Sequence, residues 1–312
     1  MRIVRDYQFT TDHDKGAAVA IGNFDGVHLG HRTVIDLAKS AAKSQNAPLG
    51  ILTFEPHPRE YFAPDAPPFR LMNAAARAHR LEKLGVDILY ELNFNAALSA
   101  LSAEEFARDV LAGGFGLNHV VVGADFCFGK GRSGTADDLV DFGKTYGFGT
   151  TIAEIKADAK GEFSSTNIRK ALSDGHPEDA CRMLGHWHRI DGEVVAGDQR
   201  GRDLGFPTAN LPIDGLHLPK FGVYAVLVDV LSGPHQGQYQ GAASIGVRPT
   251  FGGDFPNLEV FLFDFSGDLY GADLSVALVA FQRPEEKFDD LPALIRQMDL
   301  DCEESRRILS SL

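Results

Sequence analysis

The chain is short of cysteine, of long apolar runs and of positive charge, and each shortage closes off a class of protein. Its three cysteines, Cys127, Cys181 and Cys302, lie far apart, are odd in number and form no CxxC pair. Neither a disulfide framework nor a thiolate zinc site is therefore expected. No stretch approaches the roughly 18 uninterrupted apolar residues of a membrane helix. The opening MRIVRDYQFTTDHDK carries charges throughout and lacks the apolar core of a secretory signal. Lysine and arginine number 30 against 43 acidic residues, a net charge of −13, which argues against a broad basic face for nucleic acid or an anionic membrane. Internal repeats and low-complexity linkers are missing as well. The expectation is a reduced, cytoplasmic protein whose partners are small molecules, with no nucleic acid and no membrane; self-association is left open.

What is present is enough chain for two cores, 312 residues with 44% hydrophobic content. From Ala17 to about Ile155, short apolar runs alternate with helical periodicity. The strand candidates are AAVAIG (17–22), LGILTF (49–54), DILYEL (87–92), NHVVVG (118–123) and TTIAEI (150–155). Between them HRTVIDLAKSAAKS, NAAARAHRLEKLG, SAEEFARDVLAGG and TADDLVDFGKTYG read as helices, Ser102 and Glu105 forming a capping box. Such alternation predicts a parallel sheet with ligands beyond the carboxyl ends of its strands. After about Gly185 the texture changes to short β-rich runs separated by glycine and polar turns, which predicts an antiparallel barrel or sandwich closed by a terminal helix. The expected fold is α/β, with a Rossmann-like parallel-sheet domain over 1–185 and an antiparallel β-barrel domain over 186–312.

The sharpest local signal is GNFDGVHLGH, residues 22–31, directly after the first strand. Gly22, Gly26 and Gly30 allow a tight turn and a close backbone approach to a ligand. A helix starting near Gly30 offers unpaired N–H groups and a positive dipole end. His28 and His31, three apart, can face one another over the first helical turn and donate hydrogen bonds to phosphate oxygens. Alone, an HxxH spacing is commonly two unrelated surface histidines, and no thiolate or carboxylate stands at helical spacing to complete a zinc site. SST at 164–166 reads by itself as a helix N-cap. Phe62, Phe126 and Phe128 have aromatic faces that suit a flat ligand or a core equally. In GRDLGFPTANL (201–211), Thr208 and Asn210 alternate onto one strand face and are hard oxygen donors, although Thr and Asn at a strand start also serve turns. Glu259 reads as an outward residue of an alternating strand.

Taken together these segments resemble the bacterial family of bifunctional riboflavin kinases and FAD synthetases, over roughly residues 15 to 308. HLGH resembles the HxGH motif of the α/β nucleotidyltransferases, FSSTNIR (163–169) the family's SSTxIR segment, and TFEPHP (53–58) and VVGADFCFGKGRSG (121–134) its flavin and nucleotide segments. PTAN resembles the riboflavin kinase motif, followed in order by FGVYAV, SIGVRPTFGG, LEVFLFDFSGDLYG and QRPEEKFDDL. The resemblance implies catalytic roles for His28, His31, Arg169 and Glu259, the last accepting the proton of the riboflavin 5′-hydroxyl. For flavin and nucleotide it implies Gly22, Asn23, Phe24, Asp25 and Gly26 in the first turn, then Pro56, His57, Pro58 and Phe62. Gly123, Asp125, Phe126, Phe128 and Gly129 follow, then Ser164, Ser165 and Thr166, and finally Gly205, Pro207, Thr208, Asn210, Arg248 and Arg283. Thr208 and Asn210 would hold Mg²⁺, with ATP as co-substrate and riboflavin, FMN and FAD as substrates and products. An arginine is expected where the chain has Cys127, which leaves a phosphate contact there open. GHWH (185–188) also departs from the usual linker, and His186 and His188 are read as packing between domains. A single-activity enzyme and a flavin-binding regulator without catalysis remain the alternatives at this point.

Overall fold

Strands buried on both faces need uninterrupted apolar sequence, and Ala18–Ile21, wholly buried, meets that need at the centre of a parallel sheet. The computed structural model describes residues 1–154, 157–158, 161–196, 205–250 and 253–312. Contacts divide the chain into two units: Met1–Pro67 with Ala74–Phe163, and Pro68–Asn73 with Ser164–Leu312.

The first unit carries β1 (Arg2–Val4), β2 (Ala18–Ile21), β3 (Leu49–Glu55), β4 (Ile88–Asn93) and β5 (His119–Gly123). A two-residue ribbon, β6 (Cys127–Phe128) with β7 (Gly134–Thr135), precedes β8 (Gly149–Ala153). A second ribbon joins β9 (Ala157–Asp158) and β10 (Gly161–Glu162). The main sheet is parallel, in the order β1-β4-β3-β2-β5-β8. Its helices are α1 (Leu29–Gln45), α2 (Pro58–Phe62), α3 (Ala74–Lys83), α4 (Ala96–Ala100), α5 (Ala103–Glu105) and α6 (Ala136–Tyr146).

Two features differ from the sequence reading. Edge strand β1 carries no apolar run of its own and forms by registering Ile3 on Leu89. The single helix expected over SAEEFARDVLAGG is one α turn, α5, followed by a π-helical stretch, Phe106–Gly114. Ser102 and Glu105 do form the capping box, with the Ser102 N–H donating to the Glu105 carboxylate at 2.8 Å. Downstream, the Phe115 N–H reaches five residues back to Val110.

The second unit begins with α7 (Ser165–Asp174) and α8 (Pro177–Leu184). Then come β11 (His188–Glu193), β12 (Thr208–Pro212), β13 (Gly222–Val230), β14 (Gly237–Thr250), β15 (Gly253–Leu262), β16 (Asp273–Arg283) and α9 (Leu291–Leu309). The sheet is antiparallel in the order β11-β16-β13-β14-β15-β12. It curls until its edges approach, and Val195, just past β11, bridges Asn210 on β12. Alternation sorts the side chains: Tyr224, Val226 and Val228 fill the interior, while Ala225 faces a second cluster with Leu309 of α9. Pro68–Asn73 belongs to this unit although its neighbours in sequence belong to the other. Arg70 forms a parallel bridge with Leu216, and its carbonyl accepts the His217 N–H at 2.7 Å. Among the described residues, no helix is long and apolar enough to cross a membrane.

Candidate active sites

Strand order in the first sheet turns back at β2, which has β3 on one side and β5 on the other. Ligands of open α/β sheets bind outside the carboxyl ends of the strands at such a switch point. The turn from Gly22 to His28 leaves β2 there. Phe24, Gly26 and Val27 take left-handed backbone, with φ of 51°, 86° and 45°. Gly26 does so without a Cβ penalty; Phe24 and Val27 are held in place by complete burial of their side chains, at 1% and 0% exposure. The Thr53 hydroxyl, at the end of β3, donates to the Asn23 carbonyl at 3.2 Å and ties the turn to the next strand. Asp25 is buried in the same turn.

His28 is the N-cap of α1. Its Nδ1 accepts the His31 N–H at 3.2 Å, so the neutral ring carries its proton on Nε2. The two imidazoles stack with centroids 3.6 Å apart and planes 18° from parallel, and Phe24 closes on His31 at 5.1 Å. His31 Nδ1 is inaccessible and has no hydrogen-bond partner among the described residues. An unpaired buried N–H costs more than an unpaired lone pair, which places the His31 proton on Nε2 also. Burial, and then the neighbouring His28, holds the His31 pKa well below its usual 6.5. The two stacked rings thus stand at the N-terminus of α1, an arrangement that can bind phosphate oxygens. Gly30 permits it: a Cβ there would lie 2.9 Å from the Phe163 carbonyl and 3.0 Å from the His28 ring.

At the end of β3, Pro56 follows a cis peptide bond. His57 caps α2, its Nδ1 accepting the Arg59 N–H at 3.0 Å while the Glu60 carboxylate accepts the His57 N–H at 3.2 Å. Pro58 is the first residue of α2. Buried Arg77 grips Glu55 at 2.9 Å and Glu91 at 3.3 Å, fixing the ends of β3 and β4. Phe62 is 69% exposed and begins an aromatic run. It meets Phe94 at 5.7 Å; Phe94 meets Phe54 at 5.7 Å; Phe54 meets Phe106 at 6.5 Å; Phe106 meets Phe128 at 5.8 Å. Phe126 stacks on Phe128 at 5.4 Å and 15°. Phe62, Phe126 and Phe128 are thus the ends of one run whose middle, Phe54, Phe94 and Phe106, the sequence reading missed. A strand residue and a helix residue look like ordinary core in sequence. Past β5, a Cβ on Gly123 would touch the Asp125 carboxylate at 2.9 Å, and one on Gly129 would lie 2.5 Å from the Ala103 backbone nitrogen. The Cys127 thiol turns to the Asp125 carbonyl at 3.6 Å.

Ser164 is the N-cap of α7, its hydroxyl accepting the Asn167 N–H at 3.3 Å, and Ser165 and Thr166 form the first turn. These residues and Arg169 fall in the second unit. The Arg169 guanidinium donates to the Phe69 carbonyl at 3.2 Å and lies over the Phe69 ring at 5.5 Å.

On the barrel, Ala209 and Leu211 of β12 and Leu258 and Val260 of β15 point into the core. Thr208, Asn210, Asn257 and Glu259 therefore share the opposite face. Asn210 is directly cross-strand from Glu259, which on its other side faces Ser244 of β14. The outward orientation read for Glu259 is thus the one that puts it beside the PTAN pair. Asn210 is 95% shielded, and its amide donates to the Thr208 carbonyl at 3.3 Å and accepts from the Asn257 amide at 3.0 Å. A hydroxyl and an amide oxygen two residues apart on one face suit Mg²⁺, which needs only one or two protein ligands besides nucleotide phosphates. Gly205 has φ of 88°, and Pro207 leads into β12. Gly201–Leu204 of this motif, and the Arg248 side chain, lie outside the described residues. Arg283, read as a flavin or phosphate contact, is paired with Asp301 of α9 through two bonds of 2.8 and 2.7 Å, which raise its pKa.

A helix start with two imidazoles on a parallel sheet and a hydroxyl–amide–carboxylate face on an antiparallel barrel suit a transferase. The model of the FAD synthetase family matches residues 10–167 and that of the riboflavin kinase family residues 184–309. Proteins described as bifunctional riboflavin kinase/FMN adenylyltransferase are similar over nearly their full length. That of Pseudomonas fluorescens is 39% identical, over 99% of this chain and 98% of its own. That of Escherichia coli K12 is 38% identical over 97% of both chains, and that of Listeria monocytogenes 37% over 98% and 97%. A crystal structure described as a macrolide-efflux protein from Streptococcus pneumoniae superposes with a TM-score of 0.84 and 33% identity, covering 97% of this chain and 98% of that one. The chain belongs to the bifunctional riboflavin kinase/FMN adenylyltransferase family.

Proposed function

We propose that the chain makes FAD from riboflavin in two steps, each at its own site, with the functional boundary at 185/186. At the barrel site Glu259 accepts the proton of the riboflavin 5′-hydroxyl as that oxygen attacks the γ-phosphorus of ATP; ADP leaves and FMN forms. Thr208 and Asn210 orient the triphosphate, and Mg²⁺ held by their oxygens would neutralise phosphate charge. At the parallel-sheet site an FMN phosphate oxygen attacks the α-phosphorus of a second ATP, and pyrophosphate leaves. His28 and His31 donate through Nε2–H to the phosphate oxygens where negative charge builds. The first-turn residues 22–26 line the nucleotide, and the phenylalanine run takes the isoalloxazine. Arg169, a forked cation, and the Ser164–Thr166 amides we assign to nucleotide phosphate, as the family resemblance implies. Neither step needs a covalent enzyme intermediate; positioning and charge neutralisation suffice. Arg283 and Arg248 we assign to the flavin and nucleotide of the kinase site, Arg283 exchanging its Asp301 partner for the ligand. The reactions run in the cytoplasm, where ATP supplies both steps.

The observation that carries the kinase half is the cross-strand pairing of Asn210 with Glu259. Chromatography of the products from riboflavin, ATP and Mg²⁺ tests the whole: FMN followed by FAD is expected. FMN alone would leave only a kinase, and flavin binding without turnover would make the chain a regulator.

A further inference from the structure

We infer that Ser244 and Glu285 bind the ribityl chain of riboflavin beside Glu259, and that Glu285 makes this end of the kinase site select a neutral polyol. The inference deepens the proposed kinase function and rests on its reading of Glu259 as the base and of Thr208 and Asn210 as the nucleotide side.

Sheet register orders the outer face of the barrel. Glu259 has Asn210 of β12 as its cross-strand neighbour on one side and Ser244 of β14 on the other. Directly opposed residues of an antiparallel pair stand about 5 Å apart at Cβ. With the triphosphate on the Thr208 and Asn210 side, the alcohol that gives its proton to Glu259 comes from the Ser244 side. Ile245, the next residue of β14, is buried in the barrel core, so Ser244 and Gly246 both face outward with Glu259. Ser244 is half-buried, and its hydroxyl makes no hydrogen bond among the described residues. A hydroxyl both donates and accepts, so it meets a substrate alcohol in either sense.

Two residues along the same strand, about 6.7 Å on, the Glu285 carboxylate lies over Gly246, reaching there from the connection between β16 and α9. A Cβ on Gly246 would stand 2.7 Å from the carboxyl carbon and 3.1 Å from one of its oxygens. Glycine thus leaves the strand bare where the acid group rests. Glu259, Ser244 and Glu285 form a strip that starts at the base and runs along β14. A ribityl chain carries hydroxyls on successive carbons; with its 5′-hydroxyl at Glu259, the others follow that strip. An ionised carboxylate only accepts hydrogen bonds, which polyol hydroxyls can donate. Phosphate oxygens have none to donate and are repelled, so Glu285 keeps the triphosphate at the Asn210 end.

The test uses the full chain and follows FMN formation with each substrate varied in turn. Lumiflavin, which keeps the flavin ring and lacks the polyol, serves as an inhibitor competing with riboflavin. Loss of a hydrogen bond to a charged group weakens binding by about tenfold or more, and of a neutral one by less. We expect Glu285→Ala to raise the KM for riboflavin about tenfold and Ser244→Ala to raise it several-fold. The KM for ATP and the inhibition constant of lumiflavin should hold in both variants. Gly246→Ala, whose Cβ takes the place of the carboxylate, should raise the same KM and add little in the Glu285→Ala background. An unchanged riboflavin KM in both Glu285→Ala and Ser244→Ala would overturn the inference. So would lumiflavin weakened as much as riboflavin, which would show a disturbed ring site instead of lost polyol contacts. Glu259→Gln is the reference: full-rate FMN formation in that variant would sink the reading of the base itself, a result distinct from failure at Ser244 and Glu285.

Discussion

His28 caps the helix that carries His31 and stacks on the His31 ring at 3.6 Å, so one side chain both starts the helix and builds the donor pair. Two substitutions separate those duties. His28→Ala should cost about 1 kcal/mol of stability through the lost cap and reduce adenylyl transfer by about 10²-fold or more, with riboflavin phosphorylation kept. His28→Asn supplies a good capping oxygen without an imidazole. It should recover the unfolding midpoint and leave FAD formation low. Full recovery of FAD formation in His28→Asn would reduce the ring to a cap.

Gly30 offers a second separation. Alanine inside a helix is ordinarily favoured over glycine by up to about 1 kcal/mol. Here its Cβ would press on the Phe163 carbonyl and the His28 ring at 2.9 and 3.0 Å. Gly30→Ala should therefore fail to stabilise the protein, and the KM for ATP in adenylyl transfer should rise several-fold. A higher melting temperature with unchanged ATP kinetics would show that the ring has room to move.

Glu259 and Asn210 are cross-strand neighbours on the face away from the barrel core. Glu259→Gln keeps the size of the side chain and removes the base, which should lower FMN formation by about 10²- to 10⁴-fold. FAD formation from supplied FMN should persist in the same preparation. Parallel loss of both activities in a folded variant would contradict two separate sites.

Acid should destabilise the protein through its buried imidazoles. Burial, then the nearby His186 and His217, pulls the His188 pKa down to about 3, and His31 is lowered as well. Above about pH 6.5 both folded and unfolded rings are neutral and the effect is nil. Below it the unfolded ring takes up a proton that the folded ring refuses. Stability therefore falls by roughly 1 kcal/mol per pH unit for each such histidine, down towards its folded pKa. Trp187, the single tryptophan, lies beside His188 and reports the second unit. Urea midpoints by its fluorescence should drop from pH 7 to pH 5, and His188→Phe should flatten that slope. Identical slopes in both proteins would acquit His188.

The alternation of apolar strands and amphipathic helices, and the later change to short β runs, made both architectures legible because side-chain periodicity is a local property. So were the helix starts at Ser102 and Ser164, where the capping side chain lies within three residues of the amide it serves; that His28 caps the helix read from Gly30 was not. The GNFDGVHLGH and PTAN runs likewise carried their chemistry in order along the chain. Tertiary structure alone decided what depends on residues far apart in sequence. Strand β1 exists only as a partner for β4, Phe54, Phe94 and Phe106 become one run of ring contacts only when three elements converge, and Arg283 meets Asp301 only once α9 docks. The hydrogen bond between Asn257 and Asn210 belongs to the same class, because the two are 47 residues apart and register alone brings them near. Local pattern set the elements and the motifs, whereas pairing across the sheets set which residues each motif meets.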